Sequence, residues 1–159
     1  MNRTIAEGAV ILAPHGRDAA VAEAMLREAG LDTMPGGGAE VFSPGVRATI
    51  ADKKLSGEEY INVHRVAHSL GIRSNSTMLY GHVESFADRM AHLAMLRDLQ
   101  DETGGFTAFI PWTFQRENTA LGRRIKDEPT GVDYLKMLAV SRLFLDNIEN
   151  FQSSWLTQG

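Results

Sequence analysis

Four short words in the sequence hold residue types that could do chemistry. GGGAE at 36–40 sets three glycines before an alanine and a carboxylate. Bare backbone of this kind is chosen where φ must be positive or where something must approach the main chain closely. YGHVE at 80–84 places a carboxylate two residues after an imidazole, the side chain whose ordinary pKa suits a general base. PWTFQRENT at 111–119 offers Trp112, Gln115 and Asn118 for stacking on and hydrogen-bonding a polar molecule such as a nucleoside. HRVAH at 64–68 has the i, i+4 spacing of zinc helices, but Arg65 stands where a metalloprotease needs glutamate. His64 is therefore expected to border a core face with Tyr60, Val63 and Ala67, and no metal is expected.

Each word also has a plainer reading. Gly36, Gly37 and Gly38 would serve a tight connection equally well, and Glu40 could be a first-turn carboxylate favoured by the helix dipole. His82 and Glu84 could be a turn pair bonding local backbone. Gln115 and Asn118 could simply hold their loop in shape. His15 with Arg17 reads as a turn at a helix start, and Asp146 with Asn147 as a helix end where Asn tolerates left-handed geometry. Met90, Leu93 and Leu96 are spaced as a core stripe.

Short apolar segments alternate with longer amphipathic ones, and these must position the four words. Residues 9–13 read as a buried strand and 17–29 as a helix stopped by Gly30. A short extended piece at 31–34 leads into the glycines. A helix over 56–70 is opened by the capping box S-G-E-E and closed by Gly71. A strand over 72–80 follows, then a helix opened by Ser85 and Asp88 and ended by Gly104 and Gly105. Residues 106–110 read as a strand and 116–131 as a loop. Thr130 and Asp133 cap a last helix running to Ile148, and 151–156 read as a closing strand.

Strand and helix alternating at this spacing predict an α/β fold, a parallel sheet with right-handed crossovers, in one domain over 1–159. Ligands of such sheets sit at the carboxyl ends of the strands. That edge would gather Glu40, Asn75, Tyr80, His82, Glu84, Trp112, Gln115 and Asn118 around one mouth.

The bulk properties exclude several classes. The net charge of -4, with both signs interspersed, gives no basic stripe for nucleic acid or for a membrane surface. No apolar run spans a bilayer and no signal-peptide pattern opens the chain, so a cytoplasmic protein is expected. The absence of cysteine excludes disulfides, thiolate metal sites and cysteine nucleophiles.

The words GLDTMPGGGAEVF, AHSLGIRSNSTMLYGHVES, LRDLQDETGGFTAFIPWTFQRENT and LAVSRLFLDNIENFQSSWLTQG resemble the radical S-adenosylmethionine enzymes of the futalosine route to menaquinone. The likeness runs from about residue 26 to 159. It implies that 31–159 is the later half of a radical S-adenosylmethionine barrel, a partial barrel of TIM type. Two enzyme types of that family share the likeness. GGGAEVF through SNSTMLYGH is similar to aminofutalosine synthase, and FIPWTFQRENT through SSWLTQG is more similar to cyclic dehypoxanthinyl futalosine synthase, to which the balance inclines. The resemblance implies cofactor contacts for Gly36, Gly37, Gly38, Glu40, Asn75 and Tyr80. It implies substrate contacts for His82, Glu84, Trp112, Gln115 and Asn118, with S-adenosylmethionine or a nucleoside-like molecule as ligand. Residues 1–30 are instead similar to the leading segment of some sensor histidine kinases, so a unit of different origin, a chimeric join and a signalling role all stay open.

The family holds a [4Fe-4S] cluster by C-x3-C-x2-C, and no cysteine exists here. The expectation is a scaffold that keeps part of the pocket without radical catalysis; a structural α/β scaffold with no activity is the alternative. The candidate strands are also too few to close a barrel, which predicts an open sheet or a homodimer pairing exposed edges.

Overall fold

The computed structural model describes residues 24–154. Within them β1 (Thr33–Met34), β2 (Arg73–Tyr80), β3 (Phe106–Thr113) and β4 (Asn150–Phe151) form one sheet in the order β1-β2-β3-β4, every neighbouring pair parallel. The connecting helices are α1 (Pro44–Ile50), α2 (Gly57–Ser69), α3 (Phe86–Thr103) and α4 (Gly131–Phe144). The α/β class and the parallel sheet are as expected. The expected strand at 9–13, the His15–Arg17 turn and most of the 1–30 unit lie outside the described residues; 24–28 are helical, and Gly30 follows with φ +93°.

Three helices begin where the sequence says, because each carries a complete capping box. Ser56 with Glu59, Ser85 with Asp88 and Thr130 with Asp133 each exchange the two reciprocal bonds that satisfy orphan amides of a first turn. Gly104, at φ +61°, ends α3 in the left-handed conformation. Five points of the reading need correction. Helix α1 was not foreseen; it has no side-chain cap and no acidic first turn, and Pro44 is its one signal. Strand β3 continues through Pro111 and Trp112 to Thr113, so Trp112 belongs to the sheet and not to the following loop. Helix α4 stops at Phe144, and β4 ends at Phe151 well short of the expected 156. The left-handed non-glycine residues among those described are Glu40 and Asn118, so Asn147 is not left-handed; Leu145 caps α4, and Asn147 ties the following turn to α3. Its amide donates to the Arg97 carbonyl and to Asp101, while Arg97 also pairs with Asp146.

Side chains alternate across a strand, so the register divides the central pair into two faces. Ser74, Ser76, Met78 and Tyr80 of β2 share a face with Phe106, Phe109, Pro111 and Thr113 of β3, and all eight are buried. This face meets the helices. Met78, Tyr80, Phe106 and Phe109 join Leu93, Leu96 and Leu99 of α3 and Tyr134 and Met137 of α4 in the main core. Each large apolar side chain buried there contributes roughly 1.5–3 kcal/mol. Met90 packs at its margin, so the expected stripe is core. The opposite face carries Asn75, Thr77 and Leu79 beside Ala108, Ile110 and Trp112, of which four are only half-buried. A bulge between Ser74 and Asn75 leaves Thr107 without a partner in the register.

Candidate functional site

The glycine loop leaves β1 and folds over the open face of β2. The Gly36 amide donates to Asn75 Oδ1 at 2.6 Å, while the Tyr60 hydroxyl and Thr77 Oγ1 each donate to its carbonyl at 2.7 Å. Burial pushes the Tyr60 phenol up, which keeps it a donor. A Cβ on Gly36 would run into the Asn75 main chain, so this glycine answers a packing need. Gly37 and Gly38 have open space where a side chain would stand, and Gly38 has φ +90°. Glu40 holds φ +48° without being glycine, a strained geometry of the kind that clusters at ligand sites. Its carbonyl accepts from the Leu79 amide at 3.0 Å, and its carboxylate pairs with Lys54 at 2.5 Å.

Sequence reading missed the residue that holds this loop. Arg47 of α1 is buried and aims its guanidinium at main-chain carbonyls, those of Ala39 (2.5 Å), Gly38 (3.4 Å) and Leu55. Burial lowers its pKa, and the nearby Glu40 charge opposes that shift. Finding it required foreseeing α1, whose start is marked by Pro44 alone.

The turn after β2 is built inward. The His82 and Glu84 side chains are both 0% exposed. Glu84 Oε1 accepts from the Gly81 amide (2.6 Å) and from Arg89 (2.7–2.8 Å), and Oε2 accepts from the His82 amide at 2.9 Å. His82 Nδ1 lies 2.8 Å from Oε2, and its Nε2 lies 2.9 Å from the Leu79 carbonyl. Burial alone would raise the Glu84 pKa, but the hydrogen bonds from His82 and the Gly81 amide, with the His82 charge, outweigh it and hold the group down at about 2. Gly81 has φ +89°, and a Cβ there would collide with Pro129, so the turn and the β3–α4 loop meet at this residue. Tyr80 sits on the helix-packed face with the Arg89 guanidinium 4.8 Å from its ring centre. These three residues support the edge from behind, whereas Asn75 and Trp112 stand on the open face.

Trp112 pairs in register with Leu79, and its indole Nε1 is buried without a partner among the described residues. Beyond it, Gln115 bonds Thr113 through its amide nitrogen (3.1–3.3 Å), and Asn118 adopts φ +59°. Thr119 ties the loop to itself, accepting from the Gly122 amide and donating to the Arg116 carbonyl. The loop encloses an open depression of about 590 Å³ lined by Arg116, Asn118, Arg123 and Glu128 among others. The glycine loop thus runs over the open face from Asn75, at the start of β2 and away from the carboxyl edge expected for it, to Leu79 near the strand's end, where Glu40 and Trp112 stand, with Gln115 and Asn118 in the loop that follows β3.

The histidines of HRVAH lie at the start of β2, away from that edge. His64 Nδ1 and His68 Nε2 both lie 2.8 Å from Ser74 Oγ, and His68 Nδ1 lies 2.7 Å from Thr103 Oγ1. Burial lowers both pKa values, to about 3 for His64 and about 4 for His68. Among the described residues no group of three or more His, Cys, Asp or Glu could hold a metal ion, and no helix is long and apolar enough to cross a membrane.

Known proteins share this sequence. Residues 103–159 match the family described as the CofH/MqnC C-terminal region. The chain is 52% identical over 134 residues to an aminodeoxyfutalosine synthase of Thermus thermophilus, covering 83% of this chain and 36% of that protein. It is 51% identical over 134 residues to a cyclic dehypoxanthine futalosine synthase of Halalkalibacterium halodurans, with 84% and 36% covered. A 5-amino-6-(D-ribitylamino)uracil–L-tyrosine 4-hydroxyphenyl transferase of Methanosphaerula palustris is 46% identical over 136 residues, with 84% and 37% covered. The chain spans a little over a third of the length of these relatives. With identity near one half over more than four fifths of its length, the chain belongs to the radical S-adenosylmethionine family of the futalosine synthases and carries part of it, the CofH/MqnC C-terminal region included.

Proposed function

We propose that this chain supplies the ligand-lining part of a radical S-adenosylmethionine barrel, and that its glycine loop and open sheet face receive S-adenosylmethionine or a related nucleoside. The observation that carries the reading is the divided sheet. One face is buried under helices, while the other presents Asn75, Leu79, Ile110 and Trp112 only half-covered beneath a loop with open space at Gly37 and Gly38. Glu40 offers a carboxylate to an amino group or a ribose hydroxyl, Trp112 a ring for stacking, and Gln115 and Asn118 polar groups for a base. Relatives of both futalosine types match at 52% and 51%, so the proposal rests on the cofactor they share and not on either reaction.

The family's iron-sulfur cluster does not fit the donor set of this chain. Its 159 residues contain no cysteine, and no step is assigned to a cluster. We propose that binding persists without radical chemistry, in the micromolar to millimolar range of an incomplete pocket. Among the described residues β1 and β4 are the edge strands of the sheet, and we propose that they pair with further strands, a second copy being one source of them.

The test is a thermal melt of the whole chain followed by circular dichroism, with and without excess S-adenosylmethionine. A ligand bound by the native state alone raises the midpoint, and Glu40→Ala should reduce the rise while leaving the ligand-free melt nearly unchanged. A midpoint that does not move would remove the binding proposal. Cleavage of S-adenosylmethionine by the anaerobically reconstituted protein would overturn the absence of chemistry.

A further inference from the structure

We infer that one buried water joins Arg47 Nε to His92 Nδ1, and that through it His92 is a positioning residue for the glycine loop. Both atoms are buried and without a hydrogen-bond partner among the described residues, and they are opposite in kind. Arg47 Nη1 and Nη2 donate to the Ala39, Gly38 and Leu55 carbonyls, which leaves Nε–H as the guanidinium's unused donor. A guanidinium has nothing with which to accept. His92 Nε2 lies 2.9 Å from the Thr77 carbonyl, which can only accept, so Nε2 carries the hydrogen. Burial keeps the ring neutral, and Nδ1 is therefore a bare acceptor.

The two lie in one sealed corner. His92 is 0% exposed and Arg47 5%, the Arg47 charge is felt at His92, and the His92 ring stacks on Phe42 with centroids 3.9 Å apart, just ahead of α1. Neither atom reaches the other directly. A group between them must accept from Nε–H and donate to Nδ1, and water is the smallest that does both. Left unmet, each atom would carry the desolvation cost of a buried polar group, which a single water offsets at both ends. Thr77 of β2 thus holds the loop twice. Its hydroxyl donates to the Gly36 carbonyl at 2.7 Å, and its carbonyl anchors His92, hence the water, Arg47 and the Gly38 and Ala39 carbonyls. Glu40 follows at φ +48°, so the direction of its carboxylate depends on where the Ala39 peptide is fixed. Only this last step rests on the loop being the ligand site proposed above.

The deciding experiment is NMR of the whole chain, reading cross-peaks between Arg47 Nε–H and water, the His92 ring nitrogens, and the Gly38 and Glu40 amides. The wild type should show a long-lived water against Arg47 Nε–H and a bare, hydrogen-bonded Nδ1 on His92. His92→Phe keeps a ring on Phe42 and removes Nδ1, so the water contact should be lost and the Gly38 and Glu40 amides should shift. His92→Gln can donate to Thr77 from its nitrogen and take the water on its oxygen, and it should return both signals toward the wild type. A merely space-filling His92 would give the opposite order, with the phenylalanine variant nearer the wild type than the glutamine one. No water contact at Arg47 Nε–H in the wild type overturns the inference whether or not the variants fold, and so do unshifted loop amides in a folded His92→Phe. Thermal melts with S-adenosylmethionine separate the two readings. A midpoint rise that falls in His92→Phe and recovers in His92→Gln supports both, while no rise in the wild type refutes the ligand site and leaves the water signal to decide the bridge.

Discussion

The two faces of the β2–β3 pair obey opposite rules. Every residue on the helix-packed face is buried, and its two serines are satisfied from within, Ser74 between two histidines and Ser76 on the Ala108 carbonyl, while the Tyr80 hydroxyl has no partner among the described residues. On the other face Asn75 and Thr77 hold a loop, Trp112 has an indole nitrogen without a partner, and Leu79 and Ile110 are half-covered. One sheet therefore keeps its packed core on one side and leaves the other half-open, the face to which binding is proposed.

Acid should separate the two most sharply. Burial holds the folded-state pKa of His64 and of His92 down at about 3; the neighbouring His68 and Arg47 charges, respectively, push the same way, with the Thr77 carbonyl opposing at His92. Below the unfolded value of about 6.5 the unfolded chain takes up these protons and the folded one does not, so stability falls as pH falls. Each histidine costs about 1.4 kcal/mol per pH unit, and two of them reach the whole stability of a small domain before the folded groups titrate. Urea unfolding at a series of pH values should show this loss; a flat profile between about pH 6.5 and 4 would show that the helix side is not sealed.

A smaller contrast comes from one aromatic ring on each face. Phe109→Ala should cost about 3–5 kcal/mol, because it empties the main core, while Trp112→Ala should cost about 1 kcal/mol. Denaturant midpoints with unchanged slopes measure both. Equal losses would mean that the open face is packed after all. A stability loss no larger than that of Trp112→Ala is expected from Asn75→Ala, which removes the bond to the Gly36 amide, and under the proposed function it should weaken nucleoside binding more than it lowers stability.

What was legible in the sequence was local. The three capping boxes act within four residues, and each opens its helix where the serine or threonine stands. The parallel sheet followed from the alternation of elements. The site was only half legible. Asn75 and Tyr80 are five residues apart in one strand, so parity sends them to opposite faces, and Asn75 stands at the start of β2 while Tyr80 stands at its carboxyl end. The inward turn of His82 and Glu84 depends on the left-handed Gly81 and on Arg89 arriving from α3, contacts that no local pattern announces. Arg47 was hidden in a helix of seven residues with no acidic first turn.

The bulge at Thr107 has a further consequence for how this strand tolerates change. Strict alternation would send Phe106 and Phe109 to opposite sides; the unpartnered Thr107 brings both rings under the helices. Its hydroxyl bonds the Ser74 carbonyl, yet its main job is to be counted. Many side chains could stand in its place at modest cost, and excising it would turn the bulge into a regular ladder, with Phe109 still inward and Trp112 still outward. The strand thus carries one letter more than its ladder needs.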